Sequence, residues 1–212
     1  KRMLSIVLSG AMAVSTAVSA GSFSAFAVAQ CVAYSGSNVN AQDYVQWSDT
    51  VKSYLTVCDN GNYMRVQSGA IEGKLLVEYY SPDFEPLSTK LIDNELPIFG
   101  AFYDSGNNYY VLSGQENPKQ NDSLEVFRIT KYDKNWNKIK SCGLYGANTT
   151  VPFDAGSARM AHSGDHLLVR TCHKMYKSSD GNNHQANVTI EVDMPSMTIT
   201  DSYTGVMNVD YG

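Results

Sequence analysis

The side chains best suited to chemistry concentrate in one short stretch in the last third of the chain. They are Asp154, Arg159, Arg170, His173 and His184. Two histidines that converge can act as general acid and general base, or can bind a metal ion together with Asp180. The same residues are candidates for ligand binding without catalysis. The stretch therefore predicts a binding or catalytic site.

Each of these residues also has a structural interpretation. Asp154 and Arg159 can form an ion pair at the start of a strand, and this interpretation carries the same weight as a functional one. Asp180 opens an Asp-Gly-Asn-Asn sequence. A turn is favoured there, because a calcium loop needs more carboxylates at alternating positions. Outside this stretch, Glu116 is a further candidate for ligand binding. No metal site and no cofactor is predicted.

The elements that position these residues form an internal repeat. Three segments, 53–67, 100–112 and 158–170, each consist of a strand-like run, a tight glycine turn and a second run. The turn glycines Gly61, Gly106 and Gly164 are 45 and 58 residues apart. This spacing fits the four-stranded blades of a β-propeller better than the repeats of a helical solenoid.

A second repeated feature lies in the last hairpin of each unit. Phe84 and Trp136 are 52 residues apart, as are Tyr80 and Tyr132, and Met197 takes the place of the aromatic residue in the third unit. We expect the residue after each turn to cap the space between neighbouring blades.

Alternation of apolar and polar residues predicts four strands, A to D, in each unit. In unit one they span 52–58, 63–67, 74–80 and 86–92. In unit two they span 98–104, 109–113, 124–132 and 138–142. In unit three they span 158–162, 167–171, 187–193 and 198–202. Asn60-Gly61 predicts a type I′ hairpin turn between the first two strands.

The predicted fold is therefore all-β, a partial β-propeller of about three four-stranded antiparallel blades. The blades cover residues 51–93, 94–143 and 144–203, followed by the start of a next unit. Because closed propellers typically need four to eight blades, we expect a fragment of a longer ring. An open stack would expose the outward sheet faces, which the alternation predicts to be apolar.

The loops between the second and third strands of each unit predict a binding face. They lengthen from 68–73 through 114–123 to 172–185, whereas the glycine turns on the opposite face stay short. Loops tolerate such variation while the sheets stay fixed. Asp154 and Arg159 are expected at the mouth of the central channel, beside these loops.

The N-terminal segment is typical of a secretory signal peptide. Two cations precede an uncharged stretch from Met3 to Ala20, and Ala25-Phe26-Ala27 matches a small-x-small cleavage site. A membrane anchor is the alternative, but serine and glycine interrupt the apolar run. We therefore predict that residues 1–30 are removed, that residues 31–50 form a polar lead-in, and that the mature chain is secreted or on the cell surface without a stable membrane span.

Charge and cysteine content restrict the partners and the covalent framework. The net charge of −5 disfavours a nucleic-acid partner, because phosphate binding needs a basic surface. An exported chain permits disulfides, and no C-x-x-C pair indicates zinc. We expect Cys142 to pair with Cys172 across neighbouring blades, and Cys31 to tie the lead-in to Cys58.

These features together resemble the β-propellers of secreted and cell-surface bacterial proteins. The resemblance rests on the three glycine hairpins, the turn from Tyr132 to Trp136, and the unit-three segments 154–159 and 170–173. It covers roughly Val51 to Tyr203 and includes no WD-repeat or kelch signature, so no catalytic residue is transferred.

The resemblance implies an extracellular module that binds a glycan or another surface protein through its loop face. A secreted polysaccharide hydrolase or lyase with its site at the channel mouth is the alternative. Whether the protein is an enzyme stays open.

Overall fold

A computed structural model describes residues 50–154, 156 and 158–205 of the chain. The predicted signal peptide, its cleavage site, the lead-in up to residue 49 and Cys31 lie outside the described residues. Within the described ranges, no helix has the length and apolar character needed to cross a membrane.

The described chain is all-β and contains three four-stranded antiparallel sheets. Sheet I contains β1 (Ser53–Val57), β2 (Tyr63–Ile71), β3 (Lys74–Tyr80) and β4 (Pro86–Asp93). Sheet II contains β5 (Ile98–Asp104), β6 (Tyr109–Gly114), β7 (Glu125–Tyr132) and β8 (Lys138–Tyr145). Sheet III contains β10 (Arg159–Ser163), β11 (His166–Lys177), β12 (Asn183–Asp193) and β13 (Thr198–Tyr203). In each sheet the strand order follows the sequence, as expected for consecutive hairpins.

One strand was not predicted from the sequence. β9 (Thr149–Pro152) pairs antiparallel with the far end of β11, at His173 to Met175, beyond the point where β10 ends. β9 supplies the backbone partners that β10 is too short to provide.

The first hairpin of each sheet contains a glycine with a left-handed backbone, as predicted. The φ angles are 81° at Gly61, 89° at Gly106 and 55° at Gly164. The predicted type I′ turn is wrong, because it would need a positive φ at Asn60 as well, and among the described residues Asn60 is not one of those with a positive φ. Instead, the Gly61 amide closes a turn on the Cys58 carbonyl at 2.9 Å.

The three sheets stack face to face, with one apolar layer between each neighbouring pair. The layer between sheets I and II is built from Met64, Val66, Leu75, Val77, Phe99, Phe102, Tyr109, Val111, Tyr132 and Trp136. The layer between sheets II and III includes Tyr110, Leu112, Val126, Phe127, Ile129, Leu167, Val169, Val188, Ile190 and Val192. Burial of these side chains provides the main driving force for stacking.

The predicted capping residues share one backbone conformation. Phe84, Trp136 and Met197 follow the turn of the last hairpin in their sheets, with φ angles of 62°, 66° and 50°. Trp136 packs against Tyr109 at a ring-centroid distance of 4.8 Å, and its Nε1 donates to Tyr79 Oη of sheet I at 3.1 Å. Trp136 therefore closes the gap to the preceding sheet, and Met197 joins the layer between sheets II and III.

Two strand glycines make room for an aromatic ring that enters from β9. Phe153, the residue directly after β9, packs edge-on against Phe127 at 5.5 Å and has a φ of 59°. A Cβ atom at Gly100 would lie 2.4 Å from the Phe153 ring, and one at Gly114 would lie 2.8 Å from it. These glycines let the chain between sheets II and III dock against β5 and the end of β6.

Both outward sheet faces carry charged groups, so the expectation of apolar outward faces is wrong. On sheet I, Leu55 and Val57 are each 62% exposed, but the cross-strand row that starts at Leu55 continues with the ion pair of Arg65 and Glu78. On sheet III, the outward face carries one cross-strand row of Arg159, Arg170, Thr189 and Tyr203. Alternation sets which residues share a face, but it does not make that face apolar.

We predict that Trp136→Ala lowers the free energy of unfolding by about 3–5 kcal/mol, because it removes a buried ring from the layer between sheets I and II. Phe84→Ala is the matched control, since Phe84 has the same turn conformation but is 61% exposed. Urea denaturation of both variants checks this. Equal destabilisation by the two substitutions would contradict the capping role.

Candidate functional site

The first strands of the three sheets border a common cleft. β1, β5 and β10 surround a space of about 300 Å³, which we call the first-strand cleft. Its lining consists of Tyr54, Leu55, Thr56, Ala101, Phe102, Tyr103, Asp104, Ala158, Arg159 and Met160. Each sheet therefore contributes residues to one concave surface.

Aromatic side chains form much of the wall of the first-strand cleft. Tyr54 packs edge-on against Phe102 with ring centroids 6.0 Å apart. The Tyr103 hydroxyl lies 2.7 Å from His162 Nδ1, a hydrogen bond that joins β5 to β10. Burial raises the pKa of Tyr54, so its phenol stays neutral at physiological pH. The wall thus combines apolar rings with the hydroxyl groups of Thr56 and Tyr103, whereas the Tyr54 hydroxyl is buried.

Charged groups stand at two places in the same lining. Asp104 Oδ1 accepts a hydrogen bond from Lys134 Nζ at 2.6 Å. Arg159 Nη1 donates to the Ala158 carbonyl at 3.1 Å, and the positive charge of Arg159 partly offsets the rise in the pKa of Tyr54. Arg159 therefore lies within electrostatic range of the aromatic wall.

The unit-three residues predicted from the sequence are divided among several places. Asp154 Oδ2 accepts a hydrogen bond from Gln185 Nε2 at 2.9 Å. Among the described residues, the partner of Asp154 is therefore Gln185 and not Arg159, with which an ion pair was predicted. Arg159 lines the first-strand cleft. Arg170 lies opposite Arg159 in the register of β10 and β11. Arg170 Nη1 donates to Thr189 Oγ1 at 2.7 Å.

His173 and His184 do not form the predicted acid–base pair. His173 is fully buried, and its Nδ1 lies 2.6 Å from Thr149 Oγ1 of β9. Burial lowers its pKa from 6.5 to about 4. His184 is exposed and lies 2.7 Å from Asp180 Oδ2. The reason is the alternation along β11, which directs His173 and the buried Val169 to the same side of the strand.

The predicted long loop of unit three is an extended hairpin. β11 and β12 continue through most of residues 172–185, so the expected series of lengthening loops is wrong at its third member. The actual turn is short, with Gly181 donating to the Ser178 carbonyl at 2.9 Å and Asp180 accepting from the Asn182 amide at 2.9 Å. This confirms the interpretation of the segment as a turn. Among the described residues, no group of three or more His, Cys, Asp or Glu side chains is arranged to hold a metal ion.

Asn117 organises the β6–β7 loop, and the sequence did not point to it. Glu116, the predicted residue, is exposed on this loop. Asn117 is buried. Its backbone N–H donates to the Thr150 carbonyl at 2.8 Å, and its side-chain Nδ2 donates to Tyr176 Oη at 3.0 Å. The loop is therefore docked on β9 and β11. A polar residue next to a proline in a loop gives no signal of such burial.

The predicted disulfide between Cys142 and Cys172 is not formed. Cys58, Cys142 and Cys172 are free thiols, and Cys31 lies outside the described residues. Cys142 packs against the layer between sheets II and III, and burial raises its pKa to about 11. Cys172 instead shares the outward face of sheet III with Asn187, whose Oδ1 lies 3.5 Å from its Sγ. The two thiols therefore lie on different faces.

Neither protein-family models nor curated proteins include a match to this chain. Among solved structures, the chain is similar to one described as a GH43 beta-1,3-galactosidase with galactodeoxynojirimycin. The sequence identity is 12%, the TM-score is 0.38, and the match covers 71% of this chain and 44% of the other. At these values the similarity assigns neither activity nor substrate.

We predict that His173 makes the fold sensitive to acid. Because its pKa is about 4 in the folded chain and 6.5 ordinarily, its contribution to stability is complete above pH 6.5 and falls as the pH drops toward 4. The loss reaches about 3 kcal/mol, because each tenfold difference in proton affinity corresponds to about 1.4 kcal/mol. Denaturation curves between pH 7 and 4 should therefore show a weaker dependence of stability on pH in His173→Gln than in the wild type.

His184→Gln serves as the control for loss of a histidine, because His184 is exposed. An unchanged pH dependence in His173→Gln would show that the acid sensitivity arises elsewhere.

Proposed function

We propose that the protein is an extracellular β-propeller module that binds a glycan in the first-strand cleft. The lining of the cleft by Tyr54 and Tyr103, together with Thr56 and Arg159, carries this proposal. The half-buried rings of Tyr54 and Tyr103 offer apolar surface to the C–H faces of sugars, and the Thr56 hydroxyl and Arg159 guanidinium groups can bond sugar hydroxyls. Ligand sites generally combine such apolar walls with a few placed polar groups.

The way the site is supported also favours recognition of a ligand. Tyr54 packs against Phe99 and Phe102 at ring-centroid distances of 6.0 Å, so its position is set by the layer between sheets I and II. Tyr103 is held by its hydrogen bond to His162. Side chains fixed before binding lose less conformational entropy when the ligand arrives. A preorganised aromatic surface of this kind suits a binding module.

The alternative, hydrolysis of a polysaccharide, has less support from the geometry. Glycoside hydrolysis ordinarily uses two carboxyl groups that flank the scissile bond. Asp104 is the one carboxylate among the described residues that line the cleft, and it is bonded to Lys134. A lyase or hydrolase that uses His173 would need a histidine that reaches its substrate, whereas His173 is buried.

The extracellular location rests on the sequence of residues 1–30, which is typical of an export signal. A ring closed by further blades is supported by the three stacked sheets and their shared capping turns. The extracellular location and the closed ring both belong to the proposal, and the test of glycan binding does not depend on either of them.

We expect Tyr103→Ala to weaken retention on the bound polysaccharide by about tenfold or more, since it removes a cleft aromatic and its hydroxyl. Affinity electrophoresis of the complete gene product against a panel of neutral and acidic polysaccharides measures this. The same reactions are assayed for new reducing ends and unsaturated sugars. Tyr145→Ala is the matched control, because Tyr145 is 57% exposed on β8 and does not line the cleft.

Retention that survives Tyr103→Ala unchanged would place the glycan elsewhere. Release of new reducing ends that depends on Asp104 would favour the enzyme over the binding module.

A further inference from the structure

We propose that the paired arginines Arg159 and Arg170 form a subsite for the acidic group, carboxylate or sulfate, of an anionic glycan. This inference rests on the proposed function and assigns the chemical class of its ligand. The two arginines lie directly opposite each other in the β10–β11 register, on the outward face of sheet III. Arg159 also lines the first-strand cleft, so the subsite is continuous with it.

The pair continues into a row of polar groups across the sheet. Arg170 faces Thr189, and Thr189 faces Tyr203 on the next strand. Arg170 Nη1 donates to Thr189 Oγ1 at 2.7 Å, which orients the guanidinium along the row. Side chains directly opposite in an antiparallel sheet have Cβ atoms about 5 Å apart. Two planar guanidinium groups at that spacing can together engage one oxyanion, and hydroxyl groups beside them can bond the sugar ring.

The arrangement is unusual for a purely structural surface. Like charges placed directly opposite in a sheet destabilise it, so negative charge brought near a cross-strand arginine pair is favourable. The chain has more acidic than basic residues, with a net charge of −5, yet it places two arginines in one row.

Both arginines also have partners within the chain. Arg159 donates to the Ala158 carbonyl and Arg170 to Thr189, and each makes further interactions. A guanidinium group carries five N–H donors in a planar fork, so one arginine can engage several acceptors at once. The subsite therefore depends on the charge and spacing of the pair.

Carboxylates near the arginine row have partners within the chain. Glu191 Oε1, in the neighbouring row, lies 2.7 Å from His166 Nδ1. Asp201 lies opposite Glu191 and accepts a hydrogen bond from the Ser202 backbone amide. Asp154 Oδ2 accepts from Gln185. These acidic groups influence the local field, and their hydrogen bonds hold them in place. An acidic group on a glycan in the cleft would be attracted to the arginine pair.

The test compares acidic and neutral ligands on wild-type protein and on charge-removing variants. Arg159→Gln and Arg170→Gln should each weaken binding to polygalacturonate or to dextran sulfate by about tenfold, the usual magnitude for one charged hydrogen bond. Lys119→Gln, at an exposed residue of the β6–β7 loop, removes the same charge away from the row and should leave binding unchanged. Arg170→Lys keeps the charge without the planar fork and should give an intermediate loss.

A second readout uses monomeric probes and needs no polysaccharide. Galacturonate, but not galactose, should shift the Nε–Hε NMR signals of Arg159 and Arg170. These signals are assigned by their loss from the spectra of the single variants.

If polysaccharides fail to bind but galacturonate shifts these signals, the proposal of an anion subsite is supported and the proposal of a glycan-binding module is refuted. If a neutral polysaccharide binds wild type and both arginine variants alike, with no arginine response to galacturonate, the module stands and the anion subsite is refuted. Equal weakening by Lys119→Gln would also refute it, since the effect would then be one of net charge.

Discussion

The structure depends on burial of one apolar layer between each pair of neighbouring sheets. A single four-stranded sheet exposes two faces, and it becomes stable when at least one of them packs against another sheet. Sheet II buries both of its faces, which explains why all six residues of β6 are buried. The capping residues Trp136 and Met197 complete these layers from turns whose left-handed backbone directs each side chain toward the preceding sheet. Removal of either layer would separate the sheets and every site that spans them.

Stacking also creates the candidate site. Tyr54, Tyr103 and Arg159 come from three different sheets and are separated by about fifty residues each in the sequence. They share a cleft because the two apolar layers hold β1, β5 and β10 side by side. Phe153 docks the connection before β10 into the space left by Gly100 and Gly114. The aromatic wall and the nearby arginine are therefore consequences of the same packing that stabilises the core.

The outward faces of sheets I and III are opposite sides of the repeat, because sheet II packs one side against sheet I and the other side against sheet III. The outward face of sheet I carries Leu55 and Val57 beside the Arg65–Glu78 ion pair, and the outward face of sheet III carries Arg159 and Arg170. Both faces accept charged residues because alternation keeps the residues of the packed face separate from those of the outward face.

The sequence by itself determined the twelve strands of the repeat, the left-handed glycines of the first hairpins and the equivalence of Phe84, Trp136 and Met197. These features depend on local alternation and turn chemistry, which can be read along the chain. Tertiary structure alone decided that Phe84 is exposed while Trp136 is buried, because only Trp136 has a described sheet in front of it. It also buried His173 against Thr149, placed Cys142 and Cys172 on different faces, and added β9 at the end of β10. Local periodicity assigns a residue to one side of a strand, but only packing against neighbours distant in sequence determines what that side contacts.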